Sequence, residues 1–184
     1  MQIRDTSSTF GFTSILLHWI SAILIAVLFI SGEIMEDMSR GPDKADLADI
    51  HQSLGMLMLL VVLARLVWRI SQGFPDPVDS DQTLMNRFSR LWHWALLLLV
   101  LAIPLSGYLT ADTGLRGLTF FNMVTPPDLL GADRDIHKFF EEVHETLSKL
   151  ILPLVALHVL GALKHHIFDG DMTLKRMIGA GSKV

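Results

Sequence analysis

The sequence predicts an all-α integral membrane protein built as a four-helix bundle. Three observations lead there. The 184 residues are 51% hydrophobic with a mean hydropathy of +0.44, more apolar than a soluble domain of this length. Two stretches, 12–32 and 91–111, run 21 residues each without a charge, about the length an α-helix needs to cross a hydrocarbon core of roughly 30 Å. Two more apolar stretches, 50–70 and 143–163, carry charges only toward one end: Arg65 and Arg69 in the first, Glu145 and Lys149 in the second. Long basic side chains near helix ends reach the interface, so these also read as spans.

The first helix is expected over about 12–32, followed by an acidic loop, and the second over about 48–70. A Pro/Asp-rich linker at 71–84, with Pro75 and Pro77, precedes the third helix at about 88–111. A Gly/Pro-containing loop at 112–136 leads to the fourth helix at about 137–166 and a short basic tail. No repeat or second domain is visible, so residues 1–184 read as one transmembrane domain. Pro104 and Pro153 fall inside the third and fourth helices, where they either bend the helix or serve packing. The first 11 residues carry only Arg4 as a positive charge, and the apolar run after them is too long for a signal-peptide core, so the first helix is expected to be retained. Cysteine is absent, which excludes disulfides, thiolate metal sites and covalent C-x-x-C-H haem attachment.

Basic residues set the expected orientation. Nine of them (Arg4, Arg65, Arg69, Arg87, Arg90, Lys164, Lys175, Arg176 and Lys183) lie on the side of the termini, against Arg40, Lys44, Arg116, Arg134 and Lys138 opposite. By the positive-inside rule both termini are cytoplasmic. Thirteen of the nineteen acidic residues fall on the outer side, among them Glu33, Glu36, Asp37, Asp43, Asp46, Asp49, Glu141 and Glu142, giving the outer face a net charge of −8. Such a field repels anions unless the five outer basic residues converge into a local patch.

Four histidines inside the spans pair by depth. His18 and His158 each lie about six residues from the cytoplasmic end of their helices, while His51 and His144 open theirs at the outer side. Polar groups in a membrane span are costly and usually functional. His144 and His158 are 14 residues apart, nearly four turns, so they share a helix face about 21 Å apart. One helix can therefore serve two stacked sites. A macrocycle ligated by a helix also favours small side chains one turn away: Ser21 and Ala22 near His18, Gly55 near His51, Ser148 near His144, Gly161 and Ala162 near His158. His93 instead has Leu96 and Leu97. Small residues also serve ordinary helix packing, and imidazoles also bridge helices or bind other metals. Each layer, however, offers only two histidines, with Glu145 the one acidic supplement. Two stacked haem sites are the reading the depth pairing favours.

The segments I-L-L-H-W (His18), I-H-Q-S-L-G (His51), R-L-W-H-W…I-P-L-S-G, V-H-E-T-L-S (His144) and A-L-H-V-L-G-A-L-K-H-H (His158), with the D-M-T-L-K-R-M tail, resemble the bacterial cytochrome b561 family over about residues 11–178. The resemblance implies two non-covalent haem b groups, with His18, His158, His51 and His144 as axial iron ligands, in the bacterial inner membrane. It implies electron transfer between the quinone pool, with ubiquinone the expected substrate, and an outer-side donor. Superoxide is one such donor, which makes an oxidoreductase of the superoxide-oxidase or quinone-reductase type. The alternative is a non-catalytic cytochrome b anchor relaying electrons for a separate dehydrogenase or hydrogenase. Membrane lipid is an expected partner and nucleic acid is not.

Other residues carry two readings each. Arg65, 14 residues after His51 on nearly the same face, either meets a haem propionate or anchors the helix at the interface; Arg69, Arg87 and Arg90 share that ambiguity. Trp92, His93 and Trp94 form either a quinone-headgroup site or part of an interfacial aromatic belt. His165 and His166 are expected at the interface, and His137, seven residues before His144 on the same face, either exchanges protons with or replaces His144 at the outer haem or is a solvated loop histidine where the fourth helix begins.

Overall fold

The computed structural model describes residues 2–77 and 83–179. It contains α1 (Phe12–Asp37), α2 (Pro42–Gln72), α3 (Thr83–Thr113), α4 (Arg134–Ile167) and a short α5 (Thr173–Met177). α1 to α4 are each long and apolar enough to cross a membrane. Among the described residues there is no strand, only an isolated bridge between Phe120 and Val124. The linker's residues 78–82 and Lys183 lie outside the described residues.

Every long helix outruns its apolar stretch, because hydropathy marks the portion in lipid while polar turns continue into water. α2 starts six residues early, at Pro42 behind Gly41, a proline in the first turn being pre-set for helix. α4 starts at Arg134 because the Asp133 carboxylate accepts the backbone N–H groups of Asp135 and Ile136 at 2.9 and 3.0 Å. His137 therefore belongs to the first turn of α4 and not to a loop, and its Nδ1–H donates to the Thr110 carbonyl at 2.8 Å. α3 and α4 run unbroken through Pro104 and Pro153.

α1 packs on α2, α2 on α3, and α3 on α4, with α5 against α4. Met58 and Val62 of α2, Leu97 and Val100 of α3 and Ile151 of α4 form the buried apolar cluster, flanked by Leu24, Ile25 and Leu28 of α1. Along each helix this cluster falls between the two histidine depths. Ile23, Ile30, Leu60, Val67, Leu98 and Leu160 point outward, as the lipid-facing side of a bundle requires.

The end holding the termini is closed by the N-terminal segment. Asp5 accepts the Gly11 N–H at 2.7 Å and the Ser14 hydroxyl at 2.8 Å, and pairs with Arg69 at 3.0 Å. The Arg69 guanidinium is flanked by the Phe10 and Phe74 rings, with centroids 5.2 and 4.6 Å away. Trp68 donates to Ser14, and Trp19 to the carbonyl of Met177 in α5, each at 2.9 Å. Nearby, a hydrogen bond from Lys164 holds the Asp169 carboxyl below the usual carboxylate range. The Asp5 and Arg69 side chains are only 3% and 10% exposed, so removing one strands the other's charge. Arg69→Met should lower stability by about 3 kcal/mol in detergent unfolding, and a wild-type midpoint would show that the pair does not fasten the segment.

Candidate functional site

The structure brings the four span histidines together in two facing pairs. The rings of His18 and His158, the inner pair near the termini, have centroids 6.3 Å apart; the outer pair, His51 and His144, is also 6.3 Å apart. α1 and α4 thus meet across His18 and His158, whereas His144 reaches across to α2.

Hydrogen bonds at Nδ1 decide which nitrogen each ring offers to its partner. The Ser31 hydroxyl donates to the Leu28 carbonyl at 2.9 Å, so its oxygen accepts from His51 Nδ1–H at 2.8 Å. His144 Nδ1–H donates to the Ile103 carbonyl at 2.9 Å, with Ser106 Oγ alongside at 3.3 Å. Both outer rings therefore present the Nε2 lone pair, the form a metal takes. His18 is the opposite: Arg65 Nη2 donates to its Nδ1 at 2.8 Å while Nη1 donates to Ser21 Oγ at 3.1 Å. An arginine only donates, so the neutral His18 ring carries its hydrogen on Nε2.

A cavity of about 1290 Å³ surrounds the outer pair, lined by residues of α1 to α4 and by Arg40, Arg116 and Arg134. It exceeds the usual range for a small-ligand pocket. Glycines set its clearances. A Cβ on Gly107 of α3 would lie 2.9 Å from His144 Cε1 and 3.1 Å from its Nδ1, so only glycine leaves the ring where it is. A Cβ on Gly55 or Gly161 would meet no protein atom within 4 Å, leaving open space one turn from His51 and His158.

These residues fit a haem. Each couple sets two imidazoles 6.3 Å apart, centroid to centroid, and these are the two-histidine sets that would hold a haem iron. Among the described residues no group of three or more His, Cys, Asp or Glu is placed to hold a bare metal ion.

The remaining candidates separate. Arg65 lies inside the bundle against His18, whereas Arg69 is engaged by Asp5. Arg87 and Arg90 are exposed. His93 donates Nδ1–H to the Ser89 carbonyl at 2.6 Å and sets its ring 5.4 Å from His158 and 5.9 Å from Phe74. Trp92 stacks on Phe88 at 6.3 Å and Trp94 meets Phe74 edge-on at 5.8 Å. His165 faces Asp169 and Asp171 at 2.9 and 3.1 Å, and His166 Nδ1 has no hydrogen-bond partner among the described residues. Ile103 and Gly107 bound the I-P-L-S-G segment that carries the resemblance but have no role of their own in the sequence reading, and Ser31 is not singled out there. They act across helices, and nothing in their own segments shows which neighbour they meet.

Residues 9–180 match the family described as prokaryotic cytochrome b561. The chain belongs to this family. It is similar to Cytochrome b561 homolog 2 of Escherichia coli (strain K12), with 33% identity over 99% of this chain and 97% of that protein. Cytochrome b561 homolog 1 of the same organism is 25% identical over 92% of this chain and 96% of its own length. A Yersinia pestis protein named Probable superoxide oxidase CybB is 26% identical over 88% of this chain and 91% of its own. As a cytochrome b561 the chain is a bacterial membrane electron-transfer protein that binds haem b.

Two glycine substitutions test the cradle. Gly107→Ala drives the His144 ring off the Ile103 carbonyl, and Gly55→Ala fills open space without touching protein. Both are expected to lower the haem content of folded, purified protein, measured as pyridine haemochrome, while Gly55→Ala leaves the helix content unchanged. Full haem content in both variants would contradict the cradle.

Proposed function

We propose that this cytochrome b561 carries two haem b groups, ligated by His18 with His158 and by His51 with His144, and passes electrons from superoxide on the outer side to ubiquinone near the inner pair. The observation that carries this reading is the pair of facing imidazole couples, equal at 6.3 Å and separated by an apolar cluster within one bundle. Haem supplies one-electron redox chemistry at each site when bound. His18 with His158 and His51 with His144 would hold it, so the chemistry it would supply is electron transfer and not oxygen binding. Two superoxide anions release one electron each and leave as O₂; one ubiquinone takes both electrons with two protons.

The protein's own residues supply steering and proton contacts. Positive-inside asymmetry supports an orientation with both termini in the cytoplasm. The outer face is acidic overall, yet Arg40 and Arg134 line the outer cavity and have no ion-pair partner among the described residues, while Arg116 is shared with Asp49 at 3.1 Å. Glu33, Glu36, Asp133, Glu141 and Glu145 line the same cavity, so these two unpaired cations act on a small anion at short range only; the similarity to a protein named a probable superoxide oxidase also supports this reading. At the other end His93, with Nδ1–H tied to Ser89, keeps the Nε2 lone pair free to accept a hydrogen bond from a hydroxyl of the quinol product, with Phe74 as a flanking ring 5.9 Å away.

Stopped-flow mixing of the oxidised protein with superoxide is expected to reduce the haem rapidly, and added ubiquinone to reoxidise it. Absence of fast reduction in a haem-replete preparation would leave a relay for a separate partner and remove superoxide as substrate. Arg40→Gln with Arg134→Gln should slow the bimolecular step several-fold at low salt, the gap closing as ionic strength rises. A rate indifferent to both changes would detach the cations from the reaction.

A further inference from the structure

Arg65 is a cation inside a membrane-spanning helix without a counter-ion among the described residues. Its guanidinium bonds only to His18 Nδ1 and Ser21 Oγ, and no carboxylate lies within ion-pair distance among the described residues. One turn away, Arg69 has its acid in Asp5. A buried, unpaired guanidinium is costly and marks the place of an anion. Meanwhile Arg65 holds His18 in the wrong tautomer for ligation, with the hydrogen on the nitrogen that would face the iron, whereas both outer rings are already set with Nε2 free.

We propose that Arg65 exchanges partners when the inner site is filled, leaving His18 Nδ1 for a carboxylate of the incoming macrocycle and so letting His18 shift to its ligating tautomer. This rests on the assignment of His18 and His158 as inner ligands. The shift is neutral: one proton leaves Nε2, one enters Nδ1, and no charge is gained. The guanidinium trades a neutral nitrogen for a carboxylate, the stronger, bidentate-capable acceptor. The exchange makes the inner site selective for a macrocycle with free carboxylates. The outer site, whose histidines are set by Ser31 and Ile103, does not depend on Arg65.

The test is to load the full-length chain, produced without haem, with haem or with haem dimethyl ester, and to follow the inner and outer sites by their reduced spectra. Wild type is expected to prefer haem over the ester at the inner site by about tenfold or more. Arg65→Met is expected to lose that preference and to take the ester better than wild type does, since the lock on His18 is gone. The outer site of the same chain reports correct folding. A merely structural Arg65 predicts that Arg65→Met binds both compounds worse, and equal binding of haem and ester by wild type would also overturn the exchange. Haem transfer from the as-purified protein to a scavenging apoprotein gives an answer without reconstitution: Arg65→Met should lose the inner haem about tenfold faster than wild type, and equal rates would refute the carboxylate contact. His18→Ala separates the two levels. If that variant keeps every haem, the ligand assignment fails; if it loses one while Arg65→Met behaves as wild type, only the exchange fails.

Discussion

An imidazole in a membrane span needs work for both of its nitrogens, and the outer histidine pair shows how the bundle meets that need. In the outer pair Nδ1 is satisfied from a neighbouring helix, by Ser31 for His51 and by the Ile103 carbonyl for His144. Fixing Nδ1 fixes the tautomer and leaves the Nε2 lone pair free in each ring. Gly107 is a glycine because any Cβ there would strike the His144 ring. The buried apolar cluster sits between the two layers, so each pair occupies its own level.

The levels of the histidines were legible from sequence because a helix converts residue number into depth at a fixed rise. Distance from the end of an apolar run sufficed to match His18 with His158 and His51 with His144. Helix ends were less legible: Pro42 and Asp133 start their helices in water, beyond the hydropathy signal, and this moved His137 from loop into helix. Least legible were contacts that depend on how helices are rotated about their axes. Small residues on each histidine's own helix were noticed, but the closest clearance comes from Gly107 on a different helix.

The two arginines of α2 show the same limit. Arg65 and Arg69 are one turn apart and indistinguishable by composition. Asp5, on an N-terminal segment folded back against Ser14 and Trp68, takes Arg69 and leaves Arg65 facing His18. A fold-back of that kind has no periodicity to read. The outer charge pattern is similar: an overall acidic count was plain, while the convergence of Arg40, Arg116 and Arg134 on one cavity needed three dimensions.

The account stands on two independent layers, each held by its own pair of histidines. Haem quantification and reduced-minus-oxidised spectra of the four single alanine variants test this most directly. His18→Ala and His158→Ala should each lose one haem with the same spectral component, and His51→Ala and His144→Ala should each lose the other. Loss of the same component from His18→Ala and His51→Ala, in protein that keeps its helix content, would contradict the layered arrangement.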